Sequence, residues 1–277
     1  MSASAKSSQE IAAAARQNAS LYLTEIPPSA NAARRLLETY SGIAPADVDA
    51  HISNIRDQAW AVFPYGGIGS FSFLDFTSTL EDPNFQVVTT RLTAPGSTEA
   101  FLEVGCAFGT VVRQLNALGV SGERLFGTDL QPRFLELGNE LFRDGQSSSS
   151  SSGITFVAGD MLDENDVRLD VLNGRIDIIY ASAFFHLFEV QDQIKAAKRM
   201  VQFLKMQDCQ NPGPVVFGCN GGPKIDGWDK YVLDADAWRE VWDVVGEETG
   251  TRWKTEMEVI EDNEDRIRTR FVVYRAS

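Results

Sequence analysis

Through the first third of the chain the apolar positions recur at helical spacing. Residues Gln9 to about Tyr22 read as one helix. A second follows Pro27-Pro28, with Ser29 as N-cap, Leu36 and Leu37 on its buried face and Gly42 just past its end. A third begins near Pro45-Ala46-Asp47, where Val48, Ile52, Ile55 and Ala59 form an apolar stripe. From residue 99 the pattern changes to short apolar runs alternating with amphipathic stretches. Strands are expected at about 99–104, 124–128 (ending in Asp129), 154–158, 176–180 and 214–218. Helices are expected at about 109–118, 132–144, 163–172, 187–205 and 235–246. Two last strands, about 253–260 and 266–275, are joined by the acidic turn 261–265 and must pair as an antiparallel hairpin.

Repeated strand–helix units predict an α/β fold, a parallel sheet covered by helices on both faces with right-handed crossovers. The expected division is residues 1–98 as a helical cap and substrate-lining segment and 99–277 as the sheet domain. Ligands of such sheets bind at the carboxyl ends of the strands, where strand order reverses. That rule gathers Glu103 to Gly109, Asp129, Asp160 and Ser182 to His186 at one edge, although they are far apart in sequence.

Composition narrows the partners. A chain of 277 residues, 43% of them hydrophobic, can bury a large core. A net charge of −14 repels a phosphate backbone, so nucleic acid is not an expected partner. No apolar run approaches the ~20 residues of a membrane span, and Met1-Ser2-Ala3-Ser4-Ala5-Lys6 lacks the apolar core of a signal peptide, so a cytoplasmic protein is expected. Cys106, Cys209 and Cys219 form no C-x-x-C pair, and with only two histidines no metal site is expected. The serine run 147–152 reads as a polar linker.

The stretch Phe101-Leu102-Glu103-Val104-Gly105-Cys106-Ala107-Phe108-Gly109-Thr110 joins strand to helix through a tight turn. Small residues let a ligand approach the backbone, and the helix start offers free N–H groups and a positive dipole end. The dinucleotide spacing G-x-G-x-x-G fails, since Ala107 and Thr110 stand at its second and third glycines, and a nicotinamide-dependent reductase is disfavoured. A carboxylate two residues before the first glycine suits a ligand with a cationic amine and a ribose. Bland readings stand beside these. The turn can be plain strand–helix packing, Asp129 can cap the helix that starts at Pro132, and Asp160 can close its own loop. The aromatic, glycine-punctuated segment Trp60 to Phe76 is either an adaptable apolar binding wall or a core-packing loop. His51 reads as structural. His186 is a general base, an orienting residue or a helix-start histidine bonded to backbone.

The series resembles class I S-adenosylmethionine-dependent methyltransferases, with Glu103, Gly105, Ala107 and Gly109 matching their first motif over residues 99–277. Ala107 departs from the commoner glycine. The resemblance implies a Rossmann-like, doubly wound, seven-stranded sheet and S-adenosyl-L-methionine as cofactor. It implies that Glu103 helps hold the methionine amine, that the backbone at Gly105, Ala107 and Gly109 meets the methionine part and that Asp129, with Thr128 and Leu130, takes the ribose. Asp160, with Gly159, would meet the adenine amino group, Met161 the ring face, and Ser182 and Ala183 complete the set. The segment Ala181-Ser182-Ala183-Phe184-Phe185-His186-Leu187 lacks the Asn/Asp-Pro-Pro-aromatic turn of nitrogen methylators and offers no magnesium carboxylates, which resembles the small-molecule branch.

The helical cap and the Phe63-Pro64-Tyr65 to Phe71 wording are similar to fungal meroterpenoid and secondary-metabolite cluster methyltransferases, several of which make methyl esters. That likeness implies a lipophilic acceptor lined by Trp60, Phe63, Tyr65 and Phe71, and a homodimer. Methylation of a carboxyl needs no base, whereas a phenol would use His186. A cofactor-binding subunit without turnover is the non-enzymatic alternative.

Overall fold

The structure, a computed structural model, describes residues 8–145, 152–206, 213–223, 231–264 and 266–276. Cys209 and all of the serine run but Ser152 lie outside them. Seven strands form one sheet in the order β3-β2-β1-β4-β5-β7-β6. They are β1 (Phe101–Val104), β2 (Leu125–Asp129), β3 (Thr155–Ala158), β4 (Ile178–Tyr180), β5 (Val215–Pro223), β6 (Trp253–Asp262) and β7 (Arg266–Arg275). The first five run parallel; β7 pairs antiparallel with both β5 and β6. The expected doubly wound sheet and its closing hairpin are therefore present. Order reverses between β1 and β4, which fixes the ligand edge.

Helices come in the order α1 (Ser8–Gln17), α2 (Asn31–Thr39), α3 (Val48–Val62), α4 (Gly66–Gly69), α5 (Phe76–Glu81), α6 (Pro83–Thr93), α7 (Thr110–Ala117), α8 (Pro132–Phe142), α9 (Val190–Phe203) and α10 (Ala235–Thr249). One face of the sheet buries α9 and α10, with Trp238, Trp242, Met200 and Phe203 against Leu102, Ile179 and Val216. The other buries α6 and α7, with Phe85, Val88, Leu92 and Leu115 against Phe101, Ile178 and Phe217. A third core belongs to the N-terminal helices: Leu37, Ile52, Ile55, Phe71 and Leu74 pack on Phe134, Leu137 and Leu141 of α8.

Several expectations are corrected in detail. The first helix stops at Gln17 and a 3-10 turn at Ala19–Leu21 follows. Ser29 is not an N-cap, because Pro28–Ala30 form a 3-10 turn leading directly into α2. The helix expected at 163–172 is a 3-10 segment, Val167–Leu172. The helix α6 was not anticipated, although Asp82 caps it through the N–H groups of Asn84 and Phe85, Pro83 opens it, and Phe85, Val88 and Leu92 recur at helical spacing. Because α6 packs in a core of the sheet, a boundary at 98 divides that core. The strand β5 runs five residues past its expected end at 218. Beyond Phe217, the partner of Tyr180 at the end of β4, β5 continues with the start of β7 and the end of β6 as a three-stranded overhang above the carboxyl edge.

Candidate active site

The turn after β1 is held in left-handed backbone at Gly105 (φ 67°), Ala107 (φ 45°) and Gly109 (φ 58°). At Gly109 a Cβ would lie 2.4 Å from the Phe156 ring, so that position accepts no side chain without displacement. Ala107 tolerates the conformation because Asp129 fixes it: one Asp129 carboxylate oxygen accepts the Ala107 N–H at 2.9 Å and the other accepts the Gln131 N–H at 2.9 Å. The carboxylate thus ties the β1 turn to the end of β2, more than a helix cap alone would do. Burial pushes its pKa up, while the N–H groups of Gln131, Ala107 and Leu130 pull it down.

Glu103 is buried below the same turn and accepts the Val112 N–H at the start of α7 at 3.2 Å. Burial dominates and pushes its carboxyl up to about 8, against the helix N–H groups and Arg113. Arg113 itself is 1% exposed, donates to the Phe108 carbonyl at 2.6 Å, and pairs with Asp144 at 2.8 Å. It underpins the turn and the end of α8 together. Sequence reading missed it; a charged residue amid the buried run Thr110 to Leu115 was the available signal.

The remaining expected residues arrive at the same edge. Gly105, Leu130 and Ala183 are exposed there, and Ala107, Asp129, Asp160 and Ser182 are half-buried. One oxygen of Asp160 accepts the Leu162 N–H at 2.9 Å, closing its loop as the bland reading held, and the other has no bond among the described residues. Met161 is buried next to it, Gly159 donates to the Asp129 carbonyl, and Thr128 donates through its hydroxyl to Val157. Ser182 and Ala183 both bond the Cys219 carbonyl, which stitches the loop after β4 to β5. The donor set fits a ligand with a cationic amine, paired hydroxyls and a purine: three acidic side chains stand at the carboxyl ends of three adjacent strands, with an exposed Leu130 beside them.

The cap meets this edge at two points. Phe73 packs edge-on against Phe108, with ring centroids 4.7 Å apart. Burial, with the Asp129 charge adding to it, pushes the Tyr65 phenol up to about 12. Trp60, Phe63 and Tyr65 are half-buried. Phe71 is 1% exposed, under the Arg56 guanidinium at 4.3 Å, so it belongs to the cap's own core and offers no ligand surface. His51 bonds the Leu141 carbonyl at 3.0 Å, a structural contact between α3 and α8.

His186 lies in a 3-10 turn, Phe185–Leu187, and is 7% exposed. Burial lowers its pKa to about 4, with the Asn220 carboxamide opposing and Arg266 assisting. Its ring makes no backbone hydrogen bond among the described residues, so nothing among them supports the helix-start reading. Among those residues no cluster suits a metal ion, and no helix is long and apolar enough to cross a membrane.

Comparison with known proteins agrees with this geometry. Residues 21–74 match the meroterpenoid methyltransferase N-terminal domain and residues 101–207 match a methyltransferase domain. The O-methyltransferase phiE of Fungal sp. (strain ATCC 74256) is 38% identical over 83% of this chain and 76% of its own. Methyltransferase adrK of Penicillium roqueforti is 35% identical over 86% of this chain and 84% of its own. The Asnovolin E/Chermesin D methyltransferase nvfJ of Aspergillus novofumigatus is 33% identical, covering 83% and 84%. The cap that folds over the β1 turn and the sheet beneath it thus place the chain among the fungal secondary-metabolite methyltransferases of the meroterpenoid type, enzymes that take their methyl group from S-adenosylmethionine.

Proposed function

We propose that this enzyme forms a methyl ester on a carboxyl group of a lipophilic, terpenoid- or polyketide-type acceptor. The observation that carries this reading is His186, a buried imidazole whose pKa is lowered to about 4. Such a group is neutral at neutral pH and a poor match for removing a phenol proton, whose ordinary pKa is ~10. A carboxylate is already ionised and needs no base. The name of phiE, an O-methyltransferase, supports oxygen as the methylated atom.

Bound S-adenosylmethionine supplies an electrophilic methyl on a sulfonium centre. The chain's own part is to orient and to exclude water. Glu103 would receive the methionine amine, Asp129 the ribose, and the open oxygen of Asp160 the adenine amino group, with Leu130 and Met161 at the ring. Trp60, Phe63 and Tyr65 on the cap would line the acceptor. Those residues would hold the acceptor oxygen in line with the donor's methyl group, and an ionised carboxyl would need no group of this chain to take a proton from it. Dimerisation through the cap belongs to the same reading and is measured by light scattering.

The test is methyl transfer to paired lipophilic acids and phenols by wild type and His186→Gln. Acid turnover with kcat within about tenfold in the variant supports the reading. Phenol turnover that falls by several orders of magnitude in the variant, with S-adenosylhomocysteine binding intact, overturns it.

A further inference from the structure

Three buried polar side chains at the overhang each leave one polar atom without a partner among the described residues. His186, Asn220 and Thr269 are 7%, 5% and 1% exposed. The imidazole Nδ1, the carboxamide Oδ1 and the hydroxyl Oγ1 each make no hydrogen bond among the described residues. Leaving such an atom buried and unpaired is unfavourable, and three of them stand together.

They come from separate segments yet share one face. Asn220 of β5 is register partner to Thr269 of β7, and directly opposed residues of an antiparallel pair project to the same side. Two residues along β7, on that side too, Phe271 meets Phe185 at 5.8 Å between ring centroids, and His186 follows Phe185 directly. Asn220 interacts with the imidazole itself. The group stands past the end of β4, on the edge where Gly105 opens. The same short segment links both places, because Phe184 lies against Gly105: a Cβ there would sit 3.0 Å from its ring.

We infer that His186, Asn220 and Thr269 form a neutral hydrogen-bonding socket that holds the acceptor's carboxylate beside the methyl donor, an inference that rests on the methyl-ester reading above. An imidazole N–H, a carboxamide N–H and a hydroxyl can each donate to a carboxylate oxygen once side chains turn to meet it. Their lack of charge suits the task. A guanidinium fork would grip both oxygens in a strong ion pair and hold back the electron pair that must attack, whereas neutral donors orient one oxygen and leave the other reactive. The aromatic surroundings of Phe185, Trp238 and Phe271 lower the local dielectric and strengthen those bonds.

The probe is farnesoic acid, a simple terpenoid carboxylic acid, with farnesol and a prenylated phenol as controls. Thr269→Val, Thr269→Ser and Asn220→Leu are assayed with S-adenosylmethionine, and their S-adenosylhomocysteine affinity and thermal midpoints are measured alongside. The socket predicts that Thr269→Val and Asn220→Leu raise KM for the acid about tenfold or more, with cofactor affinity unchanged, and that Thr269→Ser restores it. It also predicts that the acid shifts the imidazole nitrogen resonances of His186 and leaves those of His51, the only other histidine, in place. Acid turnover with unchanged KM in both variants overturns the socket and leaves the ester reading standing. Turnover of the phenol but not the acid by wild type overturns that reading, and the socket with it.

Discussion

Two halves of one sheet edge handle their polar groups in opposite ways. Around β1 and β2 the carboxylates are committed: Asp129 holds two backbone N–H groups and Glu103 a third. Around the overhang, His186 Nδ1, Asn220 Oδ1 and Thr269 Oγ1 have no hydrogen-bond partner among the described residues. In the proposed reading the first half holds a cofactor whose chemistry never varies. The second leaves its hydrogen-bonding capacity unspent, as a wall meant to complete itself around an acceptor would. The contrast sets committed and uncommitted polar groups along the same sheet edge, with the ring of Phe184 against Gly105 between them.

Breaking the committed half has the largest expected consequence. Gly109→Val combines left-handed backbone with a Cβ position 2.4 Å from Phe156, and is expected to destabilise the fold by about 4 kcal/mol, read as a lowered denaturation midpoint. Asp129→Ala frees both tethers and removes a ligand group; calorimetry should find S-adenosylhomocysteine bound about 100-fold more weakly, ~3 kcal/mol. Survival of tight binding in that variant would erase the distinction between the halves.

A smaller effect probes the roof. Arg56 is 4% exposed, donates to the Leu23 carbonyl at 2.8 Å and the Gly69 carbonyl at 3.3 Å, and lies between Tyr22 and Phe71. Arg56→Met should cost about 2 kcal/mol and quicken proteolysis within residues 20–75, with cofactor affinity kept within about threefold. An equal loss of cofactor affinity would show that the cap is part of the rigid half.

The mildest effect is a slope. Burial raises the folded-state pKa of Glu103 from 4.5 to about 8, so the native state holds this proton more tightly than the unfolded chain. Its favourable contribution is complete below about pH 4.5 and is lost as pH rises through about 8. Glu103→Gln should therefore gain stability relative to wild type across that window, by about 1 kcal/mol or more in urea titrations. Near neutral pH, wild type should also release a proton on binding S-adenosylhomocysteine, because the ligand amine favours the carboxylate; buffer-dependent enthalpies would show it, and the variant would not.

The committed half was legible in the sequence and the adaptable half was not, for a physical reason. Glu103 to Gly109 is contiguous, and its strand, turn and helix are each set by neighbours a few residues away. Asp129 and Asp160 follow from the same alternation repeated. The socket depends on β5 meeting β7 in one register and on β5 running to Pro223, facts that no local pattern encodes. Thr269 sits among Arg266, Arg268 and Arg270 in what reads as a solvated strand. Phe71 fails for the converse reason: its aromatic, glycine-rich context resembles a binding wall, but Arg56 on the neighbouring helix draws it inward.

Asp144 carries a last implication for engineering. Its carboxylate is clasped by Arg113 and by the Tyr40 hydroxyl at 2.9 Å, so the polypeptide leaving α8 is moored to α7 and to the end of α2 three residues before the serine run begins. Length added between Gly145 and Ser152 would be borne by that mooring, and loop-closure entropy grows only slowly with length. A reporter or an affinity tag inserted there is expected to leave methyl transfer intact, which an activity assay of the insertion variant would check.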